Sequence, residues 1–488
     1  MKLLKDILLN VSIEEILGNM DTPINNITFD SRKVTENDIF VAVRGTIVDG
    51  HRYIEKAIEL GASVIVCEEK PKETKDTITY IIVQSSTKAL ARMASNFYGN
   101  PSKELKLVGI TGTNGKTTIA TLLYNLFEKA GFKTGLLSTV VNKIHDEDIN
   151  ATHTTPDSLS INFLMRKMVD AGVTHCFMEV SSHGIHQNRT EALNFDGAVF
   201  TNLTHDHLDY HETFKEYRDV KKMLFDNLSK EAFALVNIDD RNGSIMLQNT
   251  KANKYTYALK TMADFKGKVL ENQISGICIE INNMPVWTRL IGSFNAYNLL
   301  AIYGVAQLLG LEQLRAMELL SELETVSGRF QYQISPNGTI AIIDYAHTPD
   351  ALKNVLETIH DIKDERANVI TVVGCGGDRD AEKRPKMGQI ASNLSDQVVF
   401  TSDNPRTEDE IQILNQIIAG VLPENKPKVV SIPDREQAIR MAIKLADKSD
   451  IVLVAGKGHE TYQEINGIRN NFDDYQVVEK IFLEQVKI

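Results

Sequence analysis

Short β-branched runs recur along the chain, each followed by a stretch with helical spacing. LKLVGI (105–110), HCFMEV (175–180), GAVFTNL (197–203) and FALVNI (233–238) read as buried strands, because apolar residues run on without polar alternation. TIAIIDY (339–345), ANVITVVG (367–374), DQVVFTS (396–402), PKVVSI (427–432) and DIVLVAG (450–456) read the same way. Strand–helix alternation of this kind predicts α/β layers with mainly parallel sheets. An earlier block has its own strand–helix–strand pattern in ITFDSR, HRYIEKAIELGA and SVIVCEE, and Asn100-Pro101-Ser102 closes it. A second block opens at the strand from Leu105, and its last helices are expected at 295–310 and 312–323. ETVSGRFQ (324–331) carries a turn-prone Ser-Gly and reads as a linker to a third α/β block. The expected domains are therefore residues 1–103, 104–327 and 328–488, with no internal repeat or biased segment.

Composition agrees with that division. The 488 residues match about three domains at roughly 150 residues each. Hydrophobic residues make up 42% and charged residues 24%, which excludes collagen-like and largely disordered chains. A net charge of -12 argues against a nucleic-acid partner, while leaving room for anionic ligands held by a few local cations. Cys67, Cys176, Cys278 and Cys375 form no CxxC pair, so neither a disulfide framework nor a zinc site is expected, and a reducing cytoplasm is. The opening MKLLKDILLN reads as no signal peptide, and no apolar run approaches the ~18 residues of a membrane span. Of the 12 histidines, eight lie between His145 and His211.

The strand LKLVGI runs into TGTNGKTT and then into IATLLYNLFEKAG. Gly112 and Gly115 let the backbone turn so that the N–H groups of Thr111 to Thr117, through Thr113 and Asn114, face phosphate oxygens. Lys116 supplies charge and Thr117 is placed to ligate Mg²⁺. Ile110 takes the place of the first glycine of the general phosphate-loop pattern. The bland alternative is a glycine-rich turn without ligand.

Beyond the strand HCFMEV stand Glu179, Ser181 and His183; beyond GAVFTNL stand His205, Asp206, His207 and Asp209. Open α/β sheets bind ligands beyond such strand ends, and Glu179 and His207 are candidate cation ligands there. In HETFKEYRDVKKMLFDNL, the residues Phe214, Tyr217, Lys221, Leu224, Phe225 and Leu228 share one helical face, with Lys222 about 100° away. A buried lysine loses its charge more easily, and a neutral amine takes up CO₂ as a carbamate. Periodicity alone favours a lysine that snorkels to solvent. The HxH pair with such a lysine also suggests a binuclear metal hydrolase, a reading that leaves the phosphate loop unexplained.

Over essentially its whole length the chain resembles the Mur ligases, ATP-dependent amide-forming enzymes of peptidoglycan synthesis. The matching positions fall in order: Lys116 in GTNGKT, Glu179 in MEVSSHG, His207 in DHLD, Asn295 and Asn298 in GSFNAYN, Arg329 in SGRF, and Asp344 in DYAHTPD. THTTPD (152–157), EVSSHGIHQNR (179–189), CGGDRD (375–380), DNPR (403–406) and GKGHE (456–460) are similar to the branch that adds the third amino acid, although His153 stands where many relatives have Asn. The resemblance implies a small UDP-binding α/β domain, a central phosphate-loop ATPase with a mostly parallel sheet, and a C-terminal Rossmann-like domain. It implies that Lys221 in YxxxKxxLF is carbamylated (N6-carboxylysine), reversing the snorkelling reading. Asn295, Arg329 and Asp344 would serve ATP, and Ser31, Thr154, Thr155, Ser181, Gln187 and Arg189 would hold UDP-MurNAc-L-Ala-D-Glu. Two Mg²⁺ ions are implied, on Thr117 and Glu179 and on His207, Glu179 and carbamylated Lys221. A monomer is expected, in the cytoplasm, serving cell-wall precursor synthesis and through it cell shape and division.

The acceptor would be meso-diaminopimelate or L-lysine, which differ by a distal carboxylate. Arg pairs with a carboxylate bidentately, and Arg406 of DNPR is the residue that lysine-adding relatives generally lack. Arg379, Asp403, Asn404, Pro405, Gly456 and Glu460 match the other acceptor positions, so diaminopimelate is expected. The competing readings are an L-lysine-adding ligase, a folylpolyglutamate synthetase-like ligase, and an ATP-binding scaffold without chemistry. If Lys221 faces the site as phased, Lys221→Ala loses most activity and high bicarbonate does not restore it, while Lys222→Ala stays active; the reverse pattern in a product-formation assay refutes the phasing.

Overall fold

The computed structural model describes residues 2–45, 48–151, 153–204 and 210–485. Three sheets of five or more strands succeed one another along the described residues. The first has five strands in the order Glu15–Leu17, Thr79–Ile82, Ala62–Cys67, Asp38–Val41 and Ile27–Thr28, parallel except for the first. The expected strand ITFDSR stops at Thr28. Asp30 accepts the Arg32 N–H at 3.1 Å and pairs with the Arg32 guanidinium, so residues Ser31–Lys33 wind into a 3₁₀ turn.

The central sheet has eleven strands. Its middle is parallel: Thr134–Leu137, then β2 (His175–Glu179), β1 (Lys106–Thr111) and β3 (Gly197–Phe200), then Phe233–Asn237 and Asn253–Ala258. Both faces are covered, which explains the unbroken apolar runs. Val108, Ile110, Phe177 and Val199 face one core with α1 (Lys116–Lys129) and α3 (Ser293–Leu308). Leu107, Cys176, Met178, Ala198 and Phe200 alternate onto the other with α2 (Phe214–Asp226). Thr213 caps α2 by accepting the Glu216 N–H at 3.1 Å, so the helix phase is set from its first turn.

Phe265–Gln273 adds to this middle in parallel, and antiparallel pairing begins beyond it, in strands without unbroken apolar runs. Phe265–Gln273, Gly276–Ile281 and Met284–Thr288 form a meander. Its outer strands are half-exposed, so polar residues interrupt them and no continuous run exists. The turn Asn282-Asn283 has both residues at positive φ, the backbone of a type I′ hairpin.

The third sheet runs Gln331–Ile334, β4 (Ile340–Asp344), β7 (Ile451–Ala455), β5 (Val369–Val373), β6 (Gln397–Phe400) and Val429–Ser431, parallel except for the first strand. A hairpin, β8 (Tyr462–Ile465) and β9 (Ile468–Asn471), follows it. The Ser327-Gly328 segment, expected as a linker, is a packed joint. Gly328 is at φ +65, and a Cβ there would stand 2.1 Å from the His459 backbone nitrogen. Among the described residues no helix is long and apolar enough to cross a membrane.

Behind β7, Arg435 and Asp474 form a bidentate pair at 2.8 and 2.7 Å, both wholly buried, and Arg435 also donates to the Ala455 carbonyl at 3.0 Å. Removing one partner strands a buried charge. Asp474→Ala is therefore expected to lower unfolding free energy by about 3–5 kcal/mol, and Arg435→Met with Asp474→Leu together by much less. Equal losses in urea melts would contradict this.

Candidate active site

β1 ends at Thr111, and the chain turns through Gly112 at φ +147 and Gly115 at φ +90 before α1 begins. A Cβ on Gly112 would lie 1.9 Å from Thr201 Oγ1, so only glycine fits. The loop is pinned from β3: the Thr113 N–H donates to the Asn202 carbonyl at 2.8 Å, the Asn114 N–H to Asn202 Oδ1 at 2.9 Å, and Thr201 Oγ1 to the Asn114 carbonyl at 2.6 Å. Lys116 Nζ curls over the loop, donating to the Gly112 and Thr113 carbonyls at 2.9 and 2.7 Å. The first turn of α1 aims backbone N–H groups into the same hollow, a ready anion site.

Glu179 closes β2 beside this loop and has no solvent exposure. It accepts from the Thr117 hydroxyl at 3.0 Å and from the Thr139 N–H at 2.8 Å. Thr139 Oγ1 bridges Glu179 Oε2 and Thr154 Oγ1 at 3.2 and 3.1 Å. Next to it, Thr155 Oγ1 donates to the Glu179 carbonyl and accepts the Ser181 N–H, both at 2.9 Å. Arg189 donates to the Thr155 carbonyl at 2.6 Å and to Gln187 Oε1 at 2.7 Å. Thr154, Thr155, Ser181, Gln187 and Arg189 thus form one continuous patch around Glu179. His153 is held below its usual pKa by burial and by Arg189. Ser31 sits apart, in the turn that follows the first sheet's Ile27–Thr28 strand.

On α2, Lys221 is 1% exposed; its Nζ donates to the Gly112 carbonyl at 2.9 Å and lies 4.5 Å from the Tyr217 ring centroid. The snorkelling alternative therefore fails, because the amine points into the phosphate loop. Lys222 turns away to Asp226, at 2.5 and 2.7 Å. His207 lies outside the described residues, along with His205, Asp206 and Asp209.

The third unit reaches the loop through Arg329. Its Nη2 donates to Thr117 Oγ1 at 3.2 Å, and its guanidinium stacks 4.4 Å from the centroid of Tyr345. Asp344, one residue before Tyr345, accepts the Phe330 N–H at 2.7 Å; burial pushes its pKa up to about 6 against the pull of Arg329. On α3, Asn295 donates to the Ile291 carbonyl and Asn298 to Asn295 Oδ1, each at 2.8 Å, which presents Asn298 Oδ1 to Gly115.

Past the ends of β6 and β7 lie Asp403 to Arg406 and Gly456 to Glu460. Arg406 holds φ +51, with its N–H bonded to the Glu464 carbonyl of β8 at 3.0 Å and its Nη1 to the Gly377 carbonyl at 2.6 Å. A Cβ on Gly377 would meet the Pro405 carbonyl at 1.9 Å, so this approach needs glycine. Asn404 Nδ2 donates to Glu460 Oε2 at 2.7 Å, Gly456 turns at φ +114 beside Asp403, and Arg379 is exposed nearby. Arg384, 1% exposed, clamps Glu408 and the Gly376 carbonyl. Sequence reasoning passed over Thr139, Tyr345, Arg384 and Lys457. Lys457 inside GKGHE and Tyr345 inside DYAHTPD lay within quoted motifs; Thr139 and Arg384 become neighbours through loops of unrelated sequence.

Three α/β units, with a phosphate loop in the second touched by an arginine of the third, define the class: a phosphate-loop enzyme assembled across units. The chain belongs to the Mur ligase family. Residues 23–98 match the Mur ligase family catalytic domain, 110–306 the Mur ligase middle domain, and 328–458 the Mur ligase glutamate ligase domain. A UDP-N-acetylmuramoyl-L-alanyl-D-glutamate–2,6-diaminopimelate ligase of Cytophaga hutchinsonii is 53% identical over 479 residues, 98% of each chain. Its namesake in Phocaeicola vulgatus is 52% identical over 482 residues, 99% of this chain and 100% of that one. A solved structure bearing the same enzyme name aligns with a TM-score of 0.70 at 30% identity, over 99% of each chain.

Asp344 yields a pH prediction. Its carboxyl ionises near 3.8 when unfolded and at about 6 in the fold. The fold favours the neutral acid, so this contribution to stability is full below pH ~4 and is lost as pH rises to about 6. Stability of the wild type relative to Asp344→Asn should fall by about 3 kcal/mol across that window in urea melts, and a flat difference would contradict the assignment.

Proposed function

We propose that this protein is an ATP-dependent, ADP-forming amide ligase that adds meso-2,6-diaminopimelate to UDP-N-acetylmuramoyl-L-alanyl-D-glutamate, a cytoplasmic step of peptidoglycan precursor synthesis. Relatives bearing that activity's name match it end to end. The single observation that carries the reading is the 3.2 Å contact of Arg329 with Thr117, which brings the unit holding Asp403–Arg406 against the phosphate loop. In this reading residues 1–103 hold the uridine diphosphate end, through Ser31. Residues 104–327 hold ATP and the muramoyl dipeptide, and residues 328–488 hold the acceptor.

A carboxylate does not condense with an amine, because oxide is a poor leaving group. The D-Glu carboxylate attacks the γ-phosphorus of ATP, the bond to the bridging oxygen breaks, and ADP leaves. The acceptor amine then attacks the acyl phosphate, loses its proton, and the tetrahedral intermediate expels phosphate. Lys116 and Arg329 bracket the loop and offset charge on the phosphoryl group as it transfers. Asn295 and Asp344 serve the nucleotide, and Thr154, Thr155, Ser181, Gln187 and Arg189 orient the D-Glu carboxylate. Closure of the third unit over the loop keeps water from the acyl phosphate.

The donor set suits Mg²⁺. Glu179 is a wholly buried carboxylate whose hydrogen-bond donors among the described residues are neutral, and Thr117 Oγ1 stands 3.0 Å from it. Hard oxygen donors of this kind favour Mg²⁺. Thr117 and Glu179 would hold one ion, and Glu179, His207 and Lys221 as its carbamate a second. Bound Mg²⁺ supplies charge neutralisation on the phosphates. The Lys221 amine, enclosed between the Gly112 carbonyl and the Tyr217 ring, is the nitrogen that would carry the CO₂.

The test is ATP-dependent product formation with the UDP-muramoyl dipeptide and competing diaminopimelate and L-lysine. Diaminopimelate should be used, and Arg406→Ala should raise its KM about 10- to 100-fold while the KM for ATP moves less than about twofold. Preference for L-lysine, or product without ATP, would overturn the reading.

A further inference from the structure

Lys457 is wholly buried, and the reaction as described gives it nothing to do. Its Nζ carries three N–H bonds and faces three side-chain oxygens: Glu460 Oε2 at 3.1 Å, Asn404 Oδ1 at 3.1 Å and Asp403 Oδ1 at 3.5 Å. The Tyr462 ring, 5.6 Å away, packs near it. All three oxygens belong to residues assigned above to the acceptor.

The consequence for Glu460 is geometric. Asn404 Oδ1 accepts both Lys457 and the Glu464 N–H at 2.9 Å, so the amide can turn only one way. Its Nδ2 is thereby directed at Glu460 Oε2, at 2.7 Å. That oxygen now holds two donors. The other, Oε1, lies 3.5 Å from the Tyr345 hydroxyl, a long contact on the side where Tyr345 meets Arg329. Lys457 also pairs with Asp403, so its ammonium is fixed from two sides and cannot follow Glu460 if that side chain turns.

We infer that Lys457 is a positioning residue that holds Glu460 with one oxygen saturated and one open, and so selects an acceptor whose far end carries an ammonium group. The inference rests on the acceptor assignment proposed above. An incoming ammonium takes the open oxygen, which only a fixed Glu460 presents in the right place, while Arg406 takes the distal carboxylate.

The experiment compares kcat/KM for meso-diaminopimelate and for 2-aminopimelate, which keeps the reacting amine and both carboxylates but lacks the distal amine. The full-length wild type should prefer diaminopimelate by about 10- to 100-fold, the range of a charge-assisted hydrogen bond. Lys457→Met should cut that preference to less than about threefold with the KM for ATP unchanged, the size of a neutral hydrogen bond or less. Lys457→Gln, which keeps hydrogen-bonding capacity without the charge, should do the same and serves if the methionine variant does not fold. A merely structural lysine would lower both acceptors equally and preserve the preference, which overturns the inference. Glu460→Gln separates the two levels. If it keeps the preference, the acceptor assignment itself fails; if it loses the preference while both Lys457 variants keep it, only the inference fails.

Discussion

Glu179 is a carboxylate from which water is excluded, and the surrounding architecture answers to it. An ionised side chain in such a place is costly unless donors surround it. β2 pairs with β1 in parallel register, Glu179 opposite Ile110, so the acid emerges beside the start of the phosphate loop. The loop returns Thr117 to it, the strand end at Thr139 supplies an N–H, and Arg329 reaches Thr117 from another unit. Each partner comes from a different segment, which makes this carboxylate a point of assembly as well as a candidate ligand.

The joint between the second and third units follows the same logic. Gly328 is pressed against the Gly458-His459 backbone, and its carbonyl accepts the Tyr345 N–H at 3.0 Å. Arg329, the next residue, is thereby aimed at the loop with Tyr345 beneath it. A contiguous series of contacts runs from Thr117 through Arg329 and Tyr345 to Glu460 and Lys457. The proposed nucleotide and acceptor regions therefore share side chains, a geometry suited to a reaction in which one must be seated before the other reacts.

Much of the fold was legible because a strand buried on both faces must be apolar throughout. The nine runs read as strands in the second and third blocks all occur as strands, within a few residues at their ends. Where one face meets solvent the signal weakened. The meander of Phe265–Thr288 has no unbroken apolar run to mark it, and the strand in ITFDSR ends early because a local Asp30–Arg32 bond competes with the ladder. Helix phasing placed Lys221 on the buried face of α2, but both lysines proved largely buried. Periodicity could not say that one faces a carbonyl of the loop and the other a carboxylate on its own helix.

What the chain alone determined was local: where apolar runs form strands, where glycines permit positive φ, and which motifs are candidates for phosphate and carboxylate binding. Those depend on residues near one another in sequence, so spacing reveals them. What only the tertiary structure decided was partnership. Arg329 on Thr117, Lys457 among Asp403, Asn404 and Glu460, and Arg406 held at positive φ by β8 all depend on chain returns from separate segments. Such contacts arise from the packing of strand ends and loops, which leaves no period in the sequence to read.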